Sequence, residues 1–252
     1  MPFSITVSPS YSDCSSAASA AALSVLRQRL DQQELVNIVL ATGASQFDLL
    51  ADLVSAPGIA WKRVTAFHLD EYAGIPASHP ASFRKYLVER FTSHLPLRAF
   101  HAVQGDAPDL VAECTRLESL ICQVPVDLAL IGIGENGHLA FNDPPADFDT
   151  ERAYLVVDLD QACRQQQVGE GWFRDLQEVP SQAISMSIRQ ILRSQAIICT
   201  APDLRKALPV QRALLGPVTP DCPASILRHH ADCQLFLDQA SASLVAPGLH
   251  LQ

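Results

Sequence analysis

Two kinds of segment alternate along the chain. One is a short, nearly unbroken apolar run: Val36 to Ala41, "WKRVTAFHLD" at 61–70, "VDLALIGIG" at 126–134, "QAIICTA" at 195–201 and "CQLFLD" at 233–238. Runs of this length without polar alternation suit strands buried on both faces. The other kind carries helical spacing. A helix capped by Ser12 or Asp13 is expected to run to about Leu30 with Leu23, Leu26 and Leu30 on one face, and Phe47, Leu50 and Leu53 mark another. Helices are also expected in "PASFRKYLVERF", "DLVAECTRLESLICQ", "QAISMSIRQILRS" and, despite Pro209, "DLRKALPVQRALLG". Strands alternating with helices predict an α/β fold: one doubly wound, mostly parallel sheet with helices on both faces, modified Rossmann-like, as a single domain over 1–252. The least regular stretch, 144–180, holds "QQQVGEGWF" and reads as a loop or lid.

Composition narrows the function. A formal charge of −9, with Lys and Arg scattered singly, argues against a nucleic-acid binder and confines any phosphate site to a small local pocket. The seven cysteines form no C-x-x-C pair and no zinc spacing, so they are expected as buried thiols in a reducing cytoplasm. No secretion signal or membrane span is expected.

Ligands of doubly wound sheets collect at the carboxyl ends of strands, which points to the loops after Ala41, Leu69 and Gly134. In "LATGAS" (40–45), Thr42, Gly43, Ala44 and Ser45 form a strand-to-helix turn whose amides suit a phosphate, although a bare turn has the same sequence. In "FHLDEYAGIPASHPASF" (67–83), Asp70 and Glu71 close an apolar strand, where desolvation makes a carboxylate a better base; capping of the following turn is the alternative. In "GIGENGHLAFNDP" (132–144), Gly132, Gly134 and Gly137 permit sharp turns around His138, with Asn136 and Asp143 in reach of its ring.

The last two stretches together resemble the signature pair of the glucosamine-6-phosphate deaminase/isomerase family, DEY-x-G…HP-x-S[YF] and G-[DN]-GH-[IL]-[AG]-FN-[ED]-P. "LATGAS" and "LRKAL" extend the resemblance over nearly the whole chain. The sister family, 6-phosphogluconolactonase, typically carries DER and GH-x-ASLFP where this chain has "DEY" and "GHLAFNDP". The resemblance implies opening of a hexosamine phosphate ring, proton transfer between C2 and C1, and release of ammonia, with no cofactor and no metal. It implies Asp70 as the C2 base, and His138 as the ring-opening group oriented by Asn136 and Asp143. Substrate contacts are expected from Thr42 to Ser45, Glu71, Lys206 and Arg164. The partner is a small-molecule hexosamine phosphate, not nucleic acid or membrane, and a homo-oligomer is compatible with the sequence.

Several residues depart from the family pattern. Ala44 stands in the turn, the usual following proline is absent, and Asp143 replaces the commoner Glu. Ser187 and Arg189 stand where many members have glycines, so they could narrow or recharge the pocket. Only Arg152 is available after the second motif, and the tail "LVAPGLHLQ" lacks an aromatic, so the second, effector site of hexameric enteric relatives is not expected. A galactosamine-6-phosphate isomerase, a lactonase and a non-catalytic sugar-phosphate sensor remain as alternatives.

Overall fold

A computed structural model describes residues 3–169 and 171–245. Its main sheet has seven parallel strands in the spatial order β1 (Ser4–Ser8), β10 (Cys233–Asp238), β9 (Ile197–Thr200), β6 (Leu128–Gly132), β2 (Val36–Leu40), β3 (Val64–His68) and β5 (Ala99–His101). The apolar runs follow from two-sided burial. Val36, Ile38 and Leu40 of β2, with Leu128 and Leu130 of β6, pack under α1 (Tyr11–Gln32) and α2 (Phe47–Ser55). Val39, Ala129 and Ile131 face the opposite layer, where α4 (Leu110–Ile121) and α7 (Ala207–Leu215) contribute Leu117 and Val210. Period-two alternation sends each strand into both cores.

The sequence expectation of a doubly wound, mostly parallel sheet holds, and the differences have local causes. "QAISMSIRQILRS" is not one helix. Gln182–Met186 is strand β8, and only Ile188–Leu192 is helical (α6), starting at Ser187, whose hydroxyl accepts from the Gln190 amide. Its apolar spacing satisfies either period, and pairing decides: β8 lies between β4 (Asp70–Tyr72) and β7 (Tyr154–Asp158) in a small antiparallel sheet. The irregular stretch 144–180 contains β7 and a helix, α5 (Gln161–Gly169). Helix α1 is capped by Ser10, two residues before Ser12 and three before Asp13, the caps expected from sequence. Pro209 falls in the first turn of α7, where a missing N–H breaks no bond. Cys122 is exposed, while the other six cysteines are buried.

The chain runs from β2 outward to β3 and β5, then returns to place β6 on the other side of β2. The loops after β2 and β6 therefore leave in opposite directions and open a crevice between them. The small sheet covers this end, since β4 directly follows β3 and carries Asp70. Among the described residues no helix is long and apolar enough to cross a membrane.

Strand β4 is held from behind by Gly105, whose carbonyl accepts from the Gly74 amide at 2.8 Å. A Cβ on Gly105 would lie 2.0 Å from the Tyr72 carbonyl oxygen and 2.9 Å from Glu71 Cγ. Because the first neighbour is backbone, Gly105→Ala is expected to cost about 1–3 kcal/mol, the scale of overpacking, lowering the thermal midpoint by about 2–4 °C per kcal/mol. An unchanged melting curve by circular dichroism would contradict this contact.

Candidate active site

After β2 the chain turns through Thr42 to Gln46. Gly43 takes φ +99°, a region an L side chain rarely adopts. The turn lies close to the end of β6: a Cβ on Gly132 would meet Ser45 Oγ at 3.0 Å. The amides of Gly43, Ala44 and Ser45 have no acceptor among the described residues, as expected at the first turn of a helical segment.

The two acids after β3 take different roles. Asp70 and Glu71 are successive residues of one strand, so their side chains point to opposite faces. Asp70 lines the cavity at this end of the sheet and is 6% exposed. Burial, reinforced by the Glu71 charge, pushes its carboxyl up to about 8. Glu71 is fully buried and turned onto the start of α3 (Phe83–Arg90), where its oxygens accept from Ser82 Oγ (2.7 Å) and the amides of Tyr72 (3.0 Å), Phe83 (3.1 Å) and Arg84 (2.7 Å). Burial raises its pKa, and these hydrogen bonds oppose the rise.

The loop after β6 is built around the imidazole of His138. Gly137 takes φ +92°, and a Cβ on Gly134 would stand 2.2 Å from His138 Nε2, so only glycine lets the ring lie there. His138 Nδ1 lies 2.9 Å from Asp143 Oδ1, which also accepts from Asn136 Nδ2 at 3.0 Å. Asn136 Oδ1 in turn accepts from the His138 amide at 3.0 Å. Burial works to raise the Asp143 pKa, but hydrogen bonds from His138, Asn136 and the Asp160 amide outweigh it and hold the carboxyl below its usual value. An ionised Asp143 places the imidazole proton on Nδ1 and leaves Nε2 as the exchanging nitrogen. Asn142 anchors the loop by donating to the Leu139 and Met186 carbonyls, both at 2.8 Å.

These loops enclose a cavity of about 390 Å³. Of the residues singled out from sequence, Thr42, Gly43, Ala44, Ser45, Asp70, His138 and Lys206 line it, and Asn136 and Asp143 stand directly behind His138. Glu71 and Arg164 are not brought to it. Glu71 is committed to α3, as described. Arg164, on α5, donates through Nη2 to the carbonyls of Leu176 (2.6 Å) and Val179 (3.0 Å), bracing the 171–180 segment.

Ser187 and Arg189 are also away from the cavity. The Ser187 hydroxyl donates to the Arg152 carbonyl at 2.7 Å, and Arg189 pairs with Glu151 at 2.7 Å. Arg152 itself is held by Glu118 at 2.8 Å, and the tail from residue 246 lies outside the described residues.

Sequence reasoning missed Tyr11, Arg205, Gln166 and Gln167 as cavity residues. Arg205 was visible as the neighbour of Lys206, whereas Tyr11 arrives from the start of α1, distant in sequence, with no local signal. His138, Asp143 and Cys163 each bring one potential metal ligand within 4.8 Å of the others, the only such group among the described residues. Two of its three members are already joined by the histidine–aspartate hydrogen bond.

Residues 9–236 match the family model described as glucosamine-6-phosphate isomerases/6-phosphogluconolactonase. The chain is 34% identical over 229 residues to a glucosamine-6-phosphate deaminase of Listeria monocytogenes serotype 4a (strain HCC23), covering 91% of this chain and 96% of that one. A similar enzyme of Exiguobacterium sp. (strain ATCC BAA-1283 / AT1b) is 34% identical over 228 residues, 90% and 88% of the two chains. Among solved structures, a monomeric glucosamine-6-phosphate deaminase superposes with a TM-score of 0.87 at 30% identity, covering 97% of this chain and 100% of that one. The 6-phosphogluconolactonase of Trypanosoma brucei shares the fold, with a TM-score of 0.79 at 18% identity over 98% and 99% of the two chains. By its motifs, its fold and these matches, the chain belongs to the glucosamine-6-phosphate isomerase/6-phosphogluconolactonase family.

Proposed function

We propose that this protein is a glucosamine-6-phosphate deaminase, converting glucosamine 6-phosphate and water to fructose 6-phosphate and ammonia. The observation that carries the reading is one cavity that joins a buried, basic carboxyl at Asp70 to the Asp143-oriented His138 and to a turn of unpaired amides beside Lys206. The phosphate sits on the Thr42–Ser45 turn and Lys206. His138 moves a proton between the anomeric hydroxyl and the ring oxygen, which opens the ring to the C1 aldehyde.

Asp70 then takes the C2 proton. The electron pair left on C2 delocalises towards the C1 carbonyl, giving an enol with the amine still on C2. Asp70 returns the proton to C1, the C2 amine becomes an imine, and water replaces it with a ketone as ammonia leaves. A carboxyl raised towards neutrality suits this two-way transfer, because a base of low pKa removes a carbon-bound proton poorly. Asn136 and Asp143 act by orienting His138, and Glu71 by fixing the strand that carries Asp70. Arg164 supports the 171–180 segment in this reading.

The sequence "DEY" and "GHLAFNDP" favours this reaction over lactone hydrolysis. Ammonia release from glucosamine 6-phosphate, measured beside galactosamine 6-phosphate and 6-phosphogluconolactone, tests the choice. Faster turnover of the lactone would overturn it.

Replacing Asp70 with Asn removes the proton acceptor at constant volume, so kcat is expected to fall by about two to four orders of magnitude while KM changes little. Since Asp70 is an effective base only when ionised and its pKa is pushed up to about 8, kcat/KM should rise with pH and level off above about 8. A profile already flat from pH 6 would place the reacting base elsewhere.

Lys206→Ala should weaken binding of the phosphorylated sugar by about 1.5–3 kcal/mol, the scale of a charge-assisted hydrogen bond. Arg164→Ala should cost less than that and act mainly on the melting temperature. A larger rise in KM for Arg164→Ala than for Lys206→Ala would reverse the assignment.

A further inference from the structure

All three carbonyls of the 43–45 turn accept hydrogen bonds from within the protein. The Gly43 carbonyl accepts from the Gln46 amide at 3.0 Å. The Ala44 carbonyl accepts from the Phe47 amide and, as a second donor, from the Tyr11 hydroxyl at 2.5 Å, and the Ser45 carbonyl accepts from the Thr200 hydroxyl at 3.2 Å. The two side-chain donors come from the start of α1 and the end of β9. In a trans peptide the C=O and the following N–H point in opposite directions. Fixing the Ala44 carbonyl on the Phe47 amide and the Tyr11 hydroxyl therefore aims the Ser45 N–H the other way, and fixing the Gly43 carbonyl on Gln46 does the same for the Ala44 N–H.

The direction of the Thr200 bond is set by a buried amide. Gln46 Nε2 lies 2.6 Å from Thr200 Oγ1, 3.1 Å from the Ile131 carbonyl and 3.2 Å from Ser45 Oγ. A carbonyl can only accept, so the atom facing Ile131 must be the amide nitrogen. Thr200 Oγ1 then accepts from Gln46, and its single proton is left for the Ser45 carbonyl. With its two protons directed to the Ile131 carbonyl and Thr200 Oγ1, the Gln46 amide can only share one of them with Ser45 Oγ at 3.2 Å, and since that nitrogen accepts nothing, the Ser45 hydroxyl proton is directed elsewhere, on the side of the cavity that Ser45 lines. Gln46 and Thr200 are almost completely buried, so water does not compete with this order. The Tyr11 hydroxyl, pushed up to about 12 mainly by its burial, keeps its proton at any working pH.

We propose that Tyr11 and Thr200, the latter oriented by Gln46, are positioning residues of the phosphate cradle: they hold back the carbonyls of Ala44 and Ser45, so that the turn presents only donors to the substrate's phosphate. The inference rests on the reading of the cavity as a sugar-phosphate site, and it concerns the phosphate half alone.

Tyr11→Phe and Thr200→Val each remove one hydroxyl at nearly constant volume. Each is expected to weaken binding of inorganic phosphate, followed by calorimetry, by about threefold to tenfold, the fold-change of one lost hydrogen bond. The KM for glucosamine 6-phosphate should rise by the same factor while kcat stays within about twofold, and Thr200→Ser should restore both values. Variants that melt at lower temperature yet bind phosphate like the parent would reduce both residues to structural supports and overturn the proposal. A parent protein that binds no inorganic phosphate at millimolar concentration would overturn it as well. Phosphate binding that responds as expected, without ammonia release from the sugar, would leave the cradle standing and remove the deaminase reading.

Discussion

Everything at the site depends on the pairing of β2 with β6, whose registers join Ile38 to Leu128 and Leu40 to Leu130. That seam is where the chain reverses its order across the sheet, and it brings two loops from opposite halves of the sequence to one edge. Both strands are sealed between helical layers, so neither can slide without exposing a full set of apolar side chains. The turn at 42–46 and the loop at 133–143 thus leave fixed ends, and flexible geometry is confined to what covers them. Glycine is spent where those ends nearly touch: Gly132 beneath Ser45, and Gly134 beneath the His138 ring.

Two carboxyls in this crevice are driven in opposite directions by what surrounds them. Asp70 is buried with another acid next in sequence, so it holds a proton tightly and becomes a stronger base once that proton leaves. Asp143 is also largely buried, but it collects donors from His138, Asn136 and the Asp160 amide and stays ionised. In the proposed reaction one serves as a proton carrier and the other as a fixed charge behind a histidine, a separation of roles that environment alone can produce. Glu71 links the chemistry to the fold. Its carboxylate takes the first amides of α3, locking the strand on which Asp70 rides, and its charge helps keep the Asp70 proton in place.

The parts of this arrangement that were legible in the sequence share one property: the information is local. An apolar run that stops at a glycine or a pair of acids marks a buried strand emerging into a site, which is how Ala41–Ser45, Asp70 and the His138 loop stand out. The small antiparallel sheet was not legible, because three short strands are defined by one another; "AISM" fits a helix as well as a strand until Asp70–Tyr72 and Tyr154–Asp158 flank it. Arg164 shows the converse limit. Its charge is visible in the sequence, but the face of α5 on which it sits turns it towards the Leu176 and Val179 carbonyls. Tyr11 reaches Ala44 across 33 positions, a contact that only the packing of α1 beside the turn creates.

Charge poses the last constraint. The protein carries a net −9, and the cavity rim includes Asp48 and Asp203 as well as Lys206 and Arg205. Arg205 is shared between Asp203 and Glu135, at 3.3 and 3.2 Å, which neutralises much of its field. Attraction over long range therefore favours no anion, and a phosphate dianion must be held by contacts within a few ångströms. Lys206, almost fully buried at the cavity wall, supplies one charge that solvent screens little. In the proposed site the remainder comes from neutral donors, the turn amides and the Ser45 hydroxyl, whose strength depends on direction and not on net charge. Such donors attract no compensating carboxylate from a negatively charged surface, and they discriminate by geometry between a tetrahedral phosphate and other anions. The proposed site thus reconciles an acidic chain with an anionic sugar by building the grip mainly from oriented dipoles.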